Sequence, residues 1–166
     1  IYLKPLSSRE YSQRYVGWFN DPVVCRDNRH GARRYTWNDM KRYVQAVSKS
    51  DGDIVFAIHL LSDHRHVGNI SLNDISWANR SAEISIIIGE KDVWGRGIGS
   101  VACRLVAGYA RRRLGLHRVV MGMLTRNRAM IRIAKSLGMR REGISRHALF
   151  KNGLYHDVVQ YAWVDG

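Results

Sequence analysis

The spacing of apolar residues changes period along the chain, and each change marks an element. Residues 1–6, IYLKPL, read as a short strand. Over 8–18, Tyr11, Tyr15 and Trp18 share one helical face behind Ser8, a capping residue type, so a helix is expected. The stretch 19–34, with NDP and HGARR, has no period and reads as loop. Met40, Tyr43, Val44 and Val47 define a second helix over 36–48, capped by Thr36 ahead of Asp39. Three strand-like runs follow at 54–61, 67–77 and 82–88; SDHRH joins the first two as a hairpin, and Asn79 and Arg80 turn into the third.

Helical spacing returns at 99–114, where Val101, Leu105 and Tyr109 share a face. A strand over Arg118–Leu124 and a helix over 127–137 follow; Gly138 stops the helix. A hairpin around KNG, 147–150 and 155–164, closes the chain. No repeat, low-complexity tract or linker interrupts this order, so residues 1–166 are expected to form one α/β domain with a mixed sheet of six or seven strands. Its length supports a core without staples. Cys25 and Cys103 stand far apart in unrelated contexts and read as reduced thiols. No apolar run reaches membrane-spanning length, and IYLKPL carries no signal-peptide pattern, so a cytoplasmic protein with no membrane association is expected.

Charge changes this picture locally. The net charge is +13, yet residues 91–146 hold 14 Lys/Arg against Asp92 and Glu142, while the rest of the chain is nearly neutral. A patch this concentrated fits a polyanionic small molecule at least as well as a nucleic acid. Its centre is DVWGRGIGSVA, residues 92–102, where Gly95, Gly97 and Gly99 alternate with larger residues just before a helix. A helix N-terminus offers unpaired N–H groups and a positive dipole end, and glycines let a phosphate approach them. The spacing G-x-G-x-G is neither the P-loop nor the dinucleotide fingerprint.

Two more segments flank the loop: RSAEISIIIGE (80–90), ending in three isoleucines, and NRAMIRIAKSLGMRREG (127–143), an Asn-led helix with a glycine stop. The order strand, glycine loop, helix, strand and Asn-led helix resembles the GNAT superfamily of acetyl-CoA-dependent N-acetyltransferases. Trp94 to Gly99 match that family's Q/R-x-x-G-x-G/A loop, with Trp94 at the Gln/Arg position. WFNDP (18–22), Asn127 to Met139, Glu142 to Arg146 and Gly153 to Asp157 are similar to segments of its ribosomal-protein-alanine branch. RSAE and the isoleucine run also resemble spermidine N-acetyltransferases. The resemblance implies a mixed, mostly antiparallel, splayed sheet flanked by about four helices.

It further implies a site for acetyl-CoA. The pantetheine arm would pair with Ile86, Ile87 and Ile88, and the pyrophosphate would rest on the N–H groups of Arg96, Gly97, Ile98, Gly99 and Ser100 beside Trp94 and Gly95. Asn127 would bond the pantetheine, and Arg132 and Lys135 would neutralise phosphates. Glu83 is the candidate base for an acceptor ammonium of pKa near ~10. The family's usual acids, a Tyr or Ser on the Asn-led helix, are replaced by Ala134 and Met130. Tyr155 or His156 would then serve, or the thiolate leaves unassisted.

Trp18, Phe19, Asn20 and Trp37 are candidates for the acceptor wall, and His156 for orienting the amine. Transfer is expected to be direct rather than through Cys103, and no metal is expected, because His64 and His66 lack a third ligand. The acceptor is expected to be a protein N-terminal amine or an amino-sugar nucleotide. Polyamines are disfavoured by the basic excess. Ribosome association and a monomer or homodimer complete the expectation, with a basic nucleic-acid-binding module as the alternative class.

Overall fold

One sheet of seven strands, in the order β1-β2-β3-β4-β5-β7-β6, runs through the protein. The structure, a computed structural model, describes residues 1–165. The strands are β1 Tyr2–Pro5, β2 Ile54–His59, β3 His66–Ser76, β4 Ser81–Ile88, β5 Arg118–Leu124, β6 Arg140–Lys151 and β7 Leu154–Val164. Four helices, α1 Gln13–Trp18, α2 Trp37–Val47, α3 Ile98–Arg112 and α4 Arg128–Ser136, complete the framework.

Strand alternation divides the side chains between two layers. Ile70 and Leu72 of β3, Ile84 of β4, and Met121 and Met123 of β5 enter a core with Ala102, Cys103 and Val106 of α3 and Ala134 of α4. On the opposite face Val55 and Ala57 of β2 pack with Tyr15, Trp18, Met40 and Val44 from α1 and α2. That second face is polar along its centre: Asn69, Ser71 and Asn73 of β3 lie opposite Ile87, Ser85 and Glu83 of β4.

All pairs are antiparallel except β4 with β5, and that exception opens the fold. The parallel ladder covers only Ser81–Glu83 against Arg118–Val120. Beyond it the strands part, so the backbone of Ile86–Ile88 has no strand partner on the β5 side. The turn Lys91–Val93 and the glycine loop fill the end of this cleft.

Two elements depart from the sequence expectation. The first helix begins at Gln13, capped by Ser12, because Glu10 accepts from the Ser7 N–H and hydroxyl and closes a separate turn before it. The last hairpin starts at Arg140, not at 147, and its first strand is β6. β6 is an edge strand exposed along most of its length, so it lacks the apolar alternation that marks half-buried strands.

Candidate active site

The parting of β4 and β5 joins two cavities. One, about 700 Å³, is lined by Ile86, Ile87, Ile88, Trp94, Gly95, Gly97, Ile98, Gly99, Ser100, Asn127 and Arg132. The other, about 410 Å³, lies over the polar face, with Phe19, Tyr43, Asn69, Ser71, Asn73 and Glu83 in its walls. They share Asp27, Asn28, Ile86, Ile87, Asn127 and Met130.

The larger cavity ends on the glycine loop. Gly95 and Gly97 have φ of +75° and +78°, which side chains adopt only with strain, and a Cβ at either would stand in open space. Gly97 caps α3 without a side-chain hydrogen bond, and no acidic residue occupies the first turn. The N–H groups of Ile98, Gly99 and Ser100 are therefore presented to the concave side with the positive end of a 15-residue helix behind them. Gly99 differs: a Cβ there would make ordinary contact, 3.5 Å from Ile133 Cδ1, so packing does not demand a glycine. This cradle fits a diphosphate, and the unpaired edge of β4 fits an amide-bearing arm laid alongside it.

The remaining expected residues divide. Asn127 Oδ1 is committed to capping α4 through Met130 N–H at 3.1 Å, leaving its NH2 group for the cavity. Trp94 donates its indole N–H to Ile88 O at 3.0 Å and so closes the end of β4. Arg132 lines the cavity; Arg96 and Lys135, exposed beyond its rim, do not.

On the acceptor side Phe19 alone of the four expected wall residues lines the cavity. Trp18 is a brace: its ring packs where a Cβ on Gly89 would stand, and its N–H donates to Glu90 at 2.8 Å. Asn20 clamps the following loop by bonding both the N–H and the carbonyl of Tyr35. Trp37 sits on the surface against Tyr11. Tyr155 is 63% exposed at the β6–β7 hairpin, and neither it nor His156 reaches either cavity. No Tyr, Ser or His stands among the residues the cavities share; His30, Tyr43, Ser71 and Ser85 line the smaller one only.

Several contributors escape sequence reasoning. The loop at residues 25–30 is held from afar by Lys151, which is 4% exposed and donates to the carbonyls of Cys25, Asn28 (2.8 Å) and His30 (2.7 Å). Burial depresses its pKa. Arg126 fixes the same loop through Asp27 at 2.8 Å. Burial would raise the Asp27 pKa, but the hydrogen bonds from Arg126 and Arg26 outweigh it and hold the carboxyl below its usual range. Burial pushes His30 down to about 4, with Arg29 and Lys151 adding to the effect, so His30 is neutral at pH 7. Lys151→Met should leave three carbonyls without this donor, lower stability by about 2–4 kcal/mol and raise the acceptor KM. Denaturant unfolding and steady-state kinetics check both. An unchanged midpoint and KM would show that the loop stands without the ammonium.

Cys103 is fully buried in α3, and burial pushes its thiol up to about 12, which removes it as a nucleophile.

Comparison with known proteins agrees with this geometry. Residues 1–140 match the model of the acetyltransferase (GNAT) domain. The chain belongs to that family. Acetyl-CoA is the GNAT donor. The Bacillus subtilis protein YdaF, a ribosomal N-acetyltransferase by name, is 37% identical over 103 residues, covering 62% of this chain and 56% of YdaF. The spermidine N(1)-acetyltransferase of Escherichia coli K12 is 30% identical over 98 residues, 59% of this chain and 52% of that protein. The match therefore spans little more than half of either relative. The crystal structure of Vibrio cholerae spermidine N-acetyltransferase with CoA and spermine superposes with a TM-score of 0.89 at 19% identity. It covers 99% of this chain and 95% of the other, and the likeness is one of fold. Among the described residues no helix is long and apolar enough to cross a membrane.

Proposed function

We propose that this GNAT domain transfers the acetyl group of acetyl-CoA to a primary amine on a small polycation of the polyamine class. One observation carries the acceptor: with Asp27 already paired to Arg26 and Arg126, the cavity over the polar face is still lined by Asp53, Asp74 and Glu83 against a single further cation, Arg29. The basic excess that argued against a polycation belongs to the donor side, around α3 and α4. The acceptor side has the opposite sign, which also disfavours an anionic amino-sugar nucleotide. Spermidine N-acetyltransferases, similar to this chain in sequence and fold, act by name on an amine of this class.

In this reading the glycine loop and the α3 N-terminus hold the diphosphate, Arg132 screens it, and Ile86–Ile88 hold the arm. Bound there, the acetyl thioester supplies an electrophilic carbonyl carbon and a thiolate leaving group. Glu83, on the floor beside the junction, takes a proton from the acceptor ammonium directly or through water. Asp53 and Asp74, at the outer end, hold a second ammonium and so fix which nitrogen reaches the junction.

The test is a panel at saturating acetyl-CoA: spermidine, a peptide with a free N-terminus and a nucleotide amino sugar. Spermidine should be acetylated fastest. Its KM should rise with ionic strength, because partly exposed ion pairs are screened over about 8–10 Å. Faster acetylation of the peptide or the nucleotide sugar would overturn the acceptor class and leave the donor site standing.

A further inference from the structure

The polar floor extends two strands beyond Glu83, across β5 to β7. Gln160 lies on β7 between Gly122 of β5 and Gly143 of β6, directly opposite each in the two ladders. Its neighbours Val159 and Tyr161 enter the core beneath α3 and α4, so alternation turns Gln160 toward the face that carries Glu83. With no side chain on either lateral neighbour, the amide is free to lean. It leans over Gly122: a Cβ at 122 would stand 3.2 Å from Gln160 Oε1 and 3.4 Å from its Nε2. The same point is 3.3 Å from Glu83 Oε1. Glu83 and Gly122 line the smaller cavity; Gln160 is outside its wall but borders Gly122, so a carboxylate and an amide flank one small gap beside the parting of β4 and β5.

We propose that Gln160 is a specificity-determining residue that holds the reacting nitrogen over Gly122, between its own amide oxygen and the Glu83 carboxylate. The inference rests on Glu83 as the proton acceptor and on a cationic acceptor. An amide can present either its oxygen or its NH2 group, and an ammonium in the gap selects the oxygen. A primary ammonium has three N–H bonds. One proton passes to Glu83, leaving two hydrogens and a lone pair on nitrogen. The lone pair so left faces Glu83; rotation about the C–N bond turns it to the junction and sets one hydrogen on Gln160 Oε1 and the other on Glu83. As nitrogen bonds the acetyl carbon, the carbon–sulfur pair leaves on sulfur, which takes up the second proton that nitrogen gives up. The proton on Glu83 returns to solvent. A secondary amine has one hydrogen fewer at the moment of attack and cannot serve both oxygens. Gln160 therefore makes the site select primary amines.

The experiment compares 1,4-diaminobutane with N,N′-dimethyl-1,4-diaminobutane at saturating acetyl-CoA. Wild-type protein should favour the primary diamine in kcat/KM by about thirtyfold or more. Gln160→Leu, close in size and apolar, should lower kcat/KM for the primary diamine about tenfold and bring the two substrates within about threefold. The melting shift produced by acetyl-CoA should be unchanged, showing an intact fold and donor site. Gln160→Glu restores an oxygen and should recover the preference for the primary amine, a rescue that a packing role would not give; it also serves if the leucine variant is unstable. Full activity and preference in Gln160→Leu, or no rescue in Gln160→Glu, would overturn the proposal alone. Wild-type protein that acetylates neither diamine would overturn the acceptor class and this assignment with it.

Discussion

Gly97→Val should abolish the stabilisation that acetyl-CoA confers. For wild-type protein, ligand at ~100 times its dissociation constant should stabilise the fold by about 2.7 kcal/mol. That corresponds to a melting shift of roughly 5–10 °C for a chain of this size. Valine acts at this position in two ways. Its side chain would be added to a residue that lines the cavity, at a point with no protein atom within 4 Å. Its branched side chain also disfavours the φ of +78° that turns the first N–H groups of α3 toward the cavity. The second effect lowers apo stability, so strain needs its own control. Gly115→Val supplies it: Gly115 has φ +63° with open space at its Cβ, and it lines neither cavity. Both variants should melt lower without ligand, and only Gly115→Val should keep the shift. A full acetyl-CoA shift in Gly97→Val would mean that the loop is not the diphosphate cradle. The shift should also persist in moderate salt, because backbone N–H groups supply much of the grip. A basic nucleic-acid-binding surface would instead lose its ligand steeply as salt rises.

The donor half of the site was legible because its determinants are local. Gly95 and Gly97 lie within three residues in sequence and act through their own backbone, so spacing alone reveals them. The isoleucine run that ends β4 and the Asn-led start of α4 are similarly compact. The acceptor half depends on contacts across long separations. Lys151 holds carbonyls more than 120 residues away, and Arg126 reaches Asp27 across 99. No pattern in the sequence marks either partner. Trp18 and Asn20 sit in a segment typical of the acceptor wall, but hydrogen bonds to Glu90 and Tyr35 use them to brace the cleft instead.

A polar stripe on β3 is a local signal of the polar floor. Asn69, Ser71 and Asn73 alternate with Ile70 and Leu72 in a strand buried along most of its length. A polar stripe at period two inside an otherwise buried strand is costly unless those groups face a partner or a water-filled cavity. Glu83 and Ser85 repeat the pattern on β4, and Gln160 repeats it on β7. On β3 and β4 these stripes line the smaller cavity. The net charge is uninformative for a related reason: it sums a basic stretch around α3 and α4 with a cavity lined mainly by carboxylates.

Glu83→Gln should lower kcat by about a hundredfold or more, the usual contribution of a positioned proton acceptor, and leave the acetyl-CoA shift intact. The amide keeps the size of the side chain and its place above Gly122 while removing its ability to take a proton. Loss of one negative charge should weaken acceptor binding only modestly, because Asp53 and Asp74 remain. Asp74→Asn provides the converse. That residue lines the outer end of the cavity and is exposed, so its loss should raise the KM of a polycationic acceptor and spare kcat. Steady-state kinetics on the two variants should therefore separate along the floor: kcat falls at Glu83, and KM rises at Asp74. If Glu83→Gln keeps kcat within about threefold, well short of the effect of losing a general base, the proton must leave by another route. Asp27 is the other carboxylate at the junction, and it is bound on both sides by Arg26 and Arg126. Those two hydrogen bonds hold its carboxyl below its usual range and occupy its oxygens, which is why the assignment goes to Glu83.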